Sequence, residues 1–196
     1  MFVLPVSAVE RLKIPQALRH GFQLEILHEP APDLLVFETP FTTIQYRFSQ
    51  KTMTFILKRD GLPVAKLWLA YDLYIEDVVF CDIHLPSNSV WDFDVVVLPK
   101  HRLTMVFAIL WEQVLRRLAD RNVQWVFSRI AVVNRRSTEA HKRLGGKVIG
   151  NLAFIKLWNK QICVDLIQKK MSLHDQSRRK KIYLADLIEF FNKPEG

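Results

Sequence analysis

The pattern of apolar and polar residues predicts a βαβ unit in the middle of the chain. Residues 91–98 form an apolar run of strand character, and the apolar residues from Phe107 to Leu118 recur at the three- and four-residue spacing of a helix with one buried face. Residues 123–133 form a second apolar run. Two strands joined by a helix over so short a span pair in parallel with a right-handed crossover. A short helix opened by Asn134 follows.

Hairpins are predicted on either side of this unit. Asp60 and Gly61 separate the apolar runs 52–58 and 63–70, which is typical of a tight turn between antiparallel strands. The runs 147–157 and 161–168 are predicted to form a second hairpin, which closes the sheet beside the strand 123–133. The remaining predictions are a short helix within 6–18, strands at 22–27 and 34–37, and either a further strand or a strand and turn at 74–84.

Length and composition indicate one globular domain. The chain has 196 residues, of which 49% are hydrophobic and 11% aromatic, so global disorder is excluded. No apolar run approaches the ~20 residues of a membrane-spanning helix. Because no signal-peptide cleavage site stands out, we expect a cytoplasmic protein. Cys81 and Cys163 are expected to be buried free thiols, and no Cys or His pair has metal-ligand spacing, so no metal is predicted.

The C-terminal part is predicted to lie outside the domain. We assign residues 1–168 to the domain and the polar, basic residues 169–181 to a linker. Residues 182–191 carry apolar residues at helical spacing, which predicts an amphipathic helix that docks on the core or on a second subunit of a homodimer.

The charge of the chain favours an anionic partner. The formal net charge is +8 and the pI is near 9.6. Candidate partners are a phosphorylated cofactor, an acidic acyl carrier protein, nucleic acid and an anionic membrane. The basic run 178–181 suits nucleic acid or a membrane, but no aromatic residues interleave with it as a base-stacking surface requires, which argues against nucleic acid.

The order of two motifs resembles the GCN5-related N-acetyltransferase (GNAT) superfamily. The first motif, V-x-P-x-x-R, runs from Val97 to Arg102, and the second, N-x-x-S-x-x-x-H-x-x-L-G, runs from Asn134 to Gly145. The resemblance implies a mixed α/β (α+β) fold, with a mostly antiparallel sheet, a central parallel βαβ unit and flanking helices. It also implies transfer of an acyl group from acetyl-CoA, another acyl-CoA or an acyl carrier protein thioester to a small-molecule or peptide amine.

The resemblance implies a set of donor-binding residues. Val95 and Val97 would lend their backbone to the pantetheine arm, and the Arg102 guanidinium fits a phosphate. The resemblance also implies cofactor contacts from the loop and first helical turn after Arg102, at Leu103, Thr104, Met105, Val106 and Phe107. The start of the helix opened by Asn134 would add Asn134 and Ser137.

The chain departs from the family at the cofactor loop. Met105 and Phe107 occupy positions where the family carries glycines, which let the backbone approach a pyrophosphate closely. Their side chains must therefore turn away from the cofactor. Phe107 can do so because it lies on the core stripe of its helix.

Three titratable residues are candidates for acid and base. His141 stands where many relatives carry the tyrosine that protonates the leaving thiolate, and imidazole exchanges protons near neutral pH; the alternative is that it packs or caps. Strand alternation predicts that Asp92 and Asp94 project from one side of their strand. The resemblance makes them a base or a water relay; the alternative is that they face solvent or pair with arginines.

A second hypothesis for the whole chain is a GNAT-like binding protein that has lost catalysis.

Overall fold

The computed structural model describes residues 1–102, 104–166 and 169–185. Leu103 and residues 186–191 of the predicted C-terminal helix lie outside these ranges. The first two residues of that predicted helix, Ile182 and Tyr183, lie in a strand and not in a helix. The helices are α1 (Phe41–Ser49), α2 (Val106–Ala119) and α3 (Arg135–Arg143), and short 3-10 turns occur at Val6–Arg11, Gln16–Arg19, Pro32–Phe37 and Pro99–His101. The strands are β1 (Phe2–Pro5), β2 (Phe22–Leu27), β3 (Met53–Arg59), β4 (Leu62–Ala70), β5 (Leu73–Ile75), β6 (Cys81–His84), β7 (Ser89–Val97), β8 (Trp125–Ser128), β9 (Lys147–Val148), β10 (Leu152–Leu157), β11 (Lys160–Asp165), β12 (Lys170–Asp175) and β13 (Lys180–Tyr183).

The main sheet confirms the predicted architecture. Its strand order is β2-β3-β4-β7-β8-β1-β9, and only β7 and β8 run parallel within it. Helix α2 connects β7 to β8, which is the predicted βαβ unit. The apolar stripe of α2 packs on one face of the sheet, where Trp111, Leu115 and Leu118 are fully buried. On the opposite face, Leu34, Ile44, Ile56 and Trp68 form a smaller core beneath α1.

The predicted position of the second hairpin is wrong. Strands β10 and β11 do pair around a tight turn, but they join β12 in a separate three-stranded sheet. The place beside β8 is taken by β1, whose residues Phe2–Pro5 pair antiparallel with Trp125–Ser128. Since Phe2, Val3 and Leu4 are all buried, this apolar run suits an interior strand with both faces covered.

The predicted linker 169–181 is also wrong. It contains β12, which pairs with β11, and the start of β13, which pairs in parallel with β6. The charge of Arg179 is compensated: its Nε donates to Asp82 at 2.5 Å, and its Nη2 donates to the carbonyl oxygens of Val79 and Cys81. This end of the basic segment can therefore lie against the domain.

Shorter predictions near the N-terminus are mixed. The strand 22–27 and the Asp-Gly hairpin of β3 and β4 are confirmed. The helix predicted within 6–18 is instead two 3-10 turns separated by Pro15, and the strand predicted at 34–37 is instead part of a 3-10 turn.

Both cysteines are free and buried, as predicted. No helix within the described ranges is both long and apolar enough to cross a bilayer.

Candidate functional site

Strands β7 and β8 part halfway along β7. They pair only over Ser89–Asp92 and Trp125–Ser128, after which β8 ends and β7 continues to Val97. The β8-facing edge of residues 93–97 therefore has no strand partner among the described residues. Backbone N–H and C=O groups on such an edge are available to a bound ligand. Val95 and Val97 lie on this stretch, with half-buried side chains that pack against the core beneath α2.

A β-bulge in the same stretch changes the direction of the side chains. Lys66 of β4 is paired with Val96, whereas Trp68 is paired with Phe93, so Leu67 faces two residues of β7. Asp94 takes up the extra residue in the left-handed region, with φ 49°. A bulge inverts the alternation beyond it. The prediction that Asp92 and Asp94 share one side is therefore wrong: they project from opposite faces of the sheet.

On the α2 face, Asp92 meets His141. The Nδ1–H of His141 donates to the backbone oxygen of Ser137 at 2.8 Å, because a carbonyl can only accept. Its Nε2 lies 3.7 Å from Oδ2 of Asp92, and both side chains are 4% exposed. The rings of Phe107 and Trp111 meet the imidazole edge-on at 5.7 and 5.6 Å. His141 is thus a buried, aromatic-lined residue paired with a carboxylate.

This environment favours the charged form of His141. Burial alone would lower the pKa of the imidazole. This effect is outweighed by the polar contact with Asp92, by the negative charge of Asp92 and by the hydrogen bond to Ser137. The pKa of His141 is therefore raised above its ordinary 6.5. Near neutral pH the imidazolium form gains population, and it can act as a proton donor.

The pair predicts a pH-dependent stability. A histidine whose pKa is raised by folding stabilises the protein fully below its unfolded pKa, and this contribution is lost as the pH rises through the folded pKa. In urea unfolding from pH 5 to 9, we expect the free energy of unfolding to fall above pH 6.5 more steeply for the wild type than for His141→Gln, which lacks the titrating group. Parallel pH profiles for the two proteins would contradict the ion pair.

On the α1 face, Asp94 binds two cations. Its Oδ2 accepts from Lys66 Nζ at 2.7 Å and from Arg47 Nη1 at 2.5 Å. Arg47 also donates to Asp77 at 3.0 Å, and Lys66 donates to Thr39 at 2.6 Å. Burial lowers the pKa of the fully enclosed Lys66 despite the opposing charge of Asp94. The alternative in which an aspartate of this strand pairs with an arginine is therefore correct for Asp94.

Sequence reasoning missed Lys66, Arg47 and Asp77. One signal was available: Lys66 stands inside the apolar strand β4, and a lysine is almost never fully buried unless it is paired. No comparable signal identified Arg47, since the segment that forms α1 was not predicted to be helical. These residues come together only because the bulge turns Asp94 towards α1.

A cavity of about 510 Å³ borders this network. It lies between α1, the segment 76–80 and the side chains of Lys156 and Arg179. Asp77 lines the cavity and joins it to Arg47, and through Arg47 to the bulge in β7. A volume of this size is typical of a site for a small molecule.

The N-terminus of α2 lies next to the end of β7. The Nε of exposed Arg102 donates to the backbone oxygen of Val97 at 3.1 Å, which holds its guanidinium at the strand end. Thr104 Oγ1 accepts from the backbone N–H of Val106 at 3.3 Å. The N-terminus of a helix and a guanidinium together favour an anion.

The absent glycines are accommodated here without positive φ. Met105 has φ −73°, which any residue adopts. Met105 lines a second cavity of about 330 Å³ at the start of α2, together with Leu18, Phe22 and its neighbours Thr104 and Val106. Phe107 turns towards the core beside His141, as its position on the helix stripe predicts.

Asn134 and Ser137 have local structural roles in α3. The Asn134 Oδ1 accepts from the Ser137 N–H at 3.1 Å, which confirms Asn134 as the helix N-cap. The helix ends at Gly145, whose φ of 97° requires glycine, and the Gly146 N–H closes the last turn on the His141 carbonyl at 2.9 Å. These caps fix the direction of His141. Cofactor contact by Asn134 and Ser137 stays a prediction.

No group of three His, Cys, Asp or Glu side chains is placed to hold a metal ion in the part of the chain that the structure describes.

Comparison with known proteins identifies the class of fold. No protein-family model matches the sequence, and no curated protein matches it either. Among solved structures, aminoglycoside N-acetyltransferase AAC(6')-Iy in complex with CoA is 16% identical, with 69% of this chain and 98% of that chain covered and a TM-score of 0.53. AAC(6')-Ih from Acinetobacter baumannii is 17% identical, with 70% and 98% covered and a TM-score of 0.53. AAC(6')-Iy in complex with a CoA–acetylneamine bisubstrate analogue is 15% identical, with 69% and 97% covered and a TM-score of 0.51. The chain therefore has the fold of the GNAT-type acetyltransferases.

Proposed function

We propose that this protein is an acyltransferase that moves an acetyl or longer acyl group from a CoA thioester to an amine. The observation that carries this proposal is the parting of β7 and β8 after Asp92 and Ser128. It leaves a gap edged by unpaired main chain, where a thioester arm can lie and its carbonyl can meet backbone N–H groups.

The donor fits the α2 side of the gap. The pantetheine arm would run along the free edge of residues 93–97, and the pyrophosphate would lie at the N-terminus of α2 beside Arg102. The crystal of AAC(6')-Iy with CoA supports this choice of donor, since its fold is shared. Arg135 and Arg136 are exposed at the start of α3 and add positive charge at the same strand ends. Such a rim also suits an acidic acyl carrier protein as the thioester source.

The acceptor fits the cavity on the α1 side. Its lining is polar and mixed in charge, with Glu76 and Asp77 beside Lys156 and Arg179, which suits a polar small-molecule amine. The bisubstrate analogue bound to AAC(6')-Iy joins CoA to an acetylated amine, which supports a small-molecule acceptor. Asp77 and Arg47 connect this cavity to Asp94 in the bulge, so an amine bound there would reach the gap from the α1 face.

The chemistry requires two proton transfers. The amine nitrogen attacks the thioester carbonyl, the C–S bond breaks, the nitrogen loses a proton and the thiolate gains one. We assign the proton donor to the imidazolium of His141, whose pKa is raised beside Asp92. Because two cations already bind Oδ2 of Asp94, we assign Asp94 to fixing Arg47 beside the cavity, and water to accepting the amine proton.

Ligand binding tests the donor site directly. CoA and acetyl-CoA at about 100 times their Kd should stabilise the protein by about 2.7 kcal/mol, seen as a higher Tm. Arg102→Ala should weaken CoA binding about 10-fold, since a charged hydrogen bond contributes about 1.5 kcal/mol or more. The matched control is Arg117→Ala, which removes the same charge from the exposed last turn of α2. Equal affinity for the two variants would contradict the phosphate role of Arg102.

The second candidate function is binding without catalysis. The observation that favours it is that Asp92 and Asp94 are both engaged in ion pairs within the protein. Thiol release from acetyl-CoA in the presence of a panel of amines separates the two functions. Release supports the acyltransferase, whereas CoA binding without release from any amine supports the binding protein.

A further inference from the structure

The sheet of β10, β11 and β12 carries an apolar face on its outer side. The register places Ala153, Val164 and Met171 in one row across the three strands, and Ile155, Ile162 and Leu173 in the next. These six residues define the outer face. Three of them are more than half exposed: Ile155 by 52%, Met171 by 74% and Leu173 by 56%.

The inner side of the same sheet is already covered. Phe154 packs against the core beneath β6, and the side-chain amide of the buried Gln161 exchanges hydrogen bonds with the backbone of Phe80 at 2.9 and 3.4 Å. The sheet is therefore anchored through its inner side. Its outer face has no covering element among the described residues, although its composition is that of a core.

We infer that the outer face is the contact surface of a homodimer, in which it stacks on the same face of a second copy of this chain. With Leu157 and Trp158 at the neighbouring turn, 59% and 95% exposed, the face offers on the order of 600 Å² of apolar surface, at the upper limit for a monomer. A standard-size interface buries about 800 Å² per partner, so this face supplies most of what a stable dimer needs. Two sheets stacked in this way lie about 10 Å apart.

Charge favours a second copy over other occupants. The row of the sheet next to the outer face contains Leu157, Lys160 and Asp175, where one cation stands opposite one anion. Although the whole chain has a net charge of +8, the outer face and this neighbouring row together carry no net charge. The outer face does not select an anionic membrane or nucleic acid, which would require a surplus of positive charge.

The last described residues of the chain lie away from the outer face. Strand β13 runs parallel to β6, from Lys180 opposite Cys81 to Tyr183 opposite His84. The three-stranded sheet is anchored at Phe80, next to the start of β6. The last described residues therefore lie at the opposite end of β6, where Ile182 and Leu184 belong to the core that Phe154 contacts on the inner side of the sheet.

The mass of the full chain in solution tests the inference. Sedimentation equilibrium should give twice 23.0 kDa for the wild type. Met171→Glu/Leu173→Glu should be a monomer, with the dimer Kd raised at least 100-fold, because four carboxylates would meet in the apolar interface. Since both side chains are largely exposed, the variant should keep its fold, which circular dichroism checks. The matched control Leu35→Glu/Leu62→Glu changes two side chains that are 54% and 65% exposed elsewhere, and should remain a dimer.

Three outcomes would overturn the inference. The first is a wild-type mass of 23.0 kDa at every concentration. The second is a dimer that persists in Met171→Glu/Leu173→Glu. The third is a monomer that dimerises only after deletion of residues 186–196, which would make the chain's own end the occupant. None of these measurements involves CoA or an amine, so they stand independently of the proposed acyl transfer.

Discussion

Replacement of His141 by Phe should lower kcat for acyl transfer by about 100- to 1,000-fold, because a positioned general acid contributes roughly 10²–10⁴ in rate. Phenylalanine fills the space between Phe107 and Trp111 but cannot donate a proton to the thiolate. Kinetics with acetyl-CoA and a reactive amine measure the effect. CoA affinity, followed by thermal shift on the same variant, should change by less than 3-fold, since His141 is not among the residues that we propose to bind the phosphates.

The pH profile separates an acid from a packing residue. The wild-type kcat should fall as the pH rises through the raised pKa of His141, where the imidazolium is lost. In Asp92→Asn the neighbouring charge is removed, so this fall should move to lower pH, while His141→Phe should show no such limb. A wild-type profile that is unchanged by Asp92→Asn, or full activity in His141→Phe, would remove His141 as the acid.

Replacement of Asp94 by Asn should lower the free energy of unfolding by about 3 kcal/mol, because removing one partner of a buried ion pair leaves the other charge uncompensated. The charge left uncompensated is that of Lys66, whose side chain is fully buried. Asparagine tolerates the left-handed φ of 49° at this position, so backbone strain does not contribute. Urea unfolding at pH 7 measures the change.

A second substitution shows whether the uncompensated charge of Lys66 causes the loss of stability in Asp94→Asn. Adding Lys66→Met to Asp94→Asn should recover a substantial part of the lost stability, since the double variant no longer buries an uncompensated lysine. The matched control is Glu139→Gln, which breaks the exposed ion pair to Lys142 on α3 and should leave stability nearly unchanged. If the double variant were less stable than Asp94→Asn alone, the network would not be the source of the effect.

The elements that were predicted correctly depend on neighbours in the sequence. The helix stripe of α2 repeats every three to four residues, and the Asp60-Gly61 turn needs only its two flanking strands. Asn134 caps α3 through an amide three residues away. Each of these signals depends on a few neighbouring residues, so it can be recognised in the sequence before the fold is known.

The site was predictable only in part, and the reason is the bulge. Asp92 and His141 were both singled out from the sequence, and the structure brings them together. The alternation expected for a regular strand placed Asp94 on the wrong face of the sheet. One additional residue in β7 inverts the side of every residue after it, and the apolar pattern of the sequence does not show this bulge.

By itself the sequence determined the βαβ unit, the hairpin before it and the caps that direct His141. Tertiary structure alone decided that β1 lies beside β8, that Lys66 and Arg47 meet Asp94, and that one face of the β10–β12 sheet stays uncovered. The physical reason is the range of the interactions. Spacing and capping are set between neighbours in the chain, whereas strand order, bulge position and burial follow from which distant segments compete for the same surface.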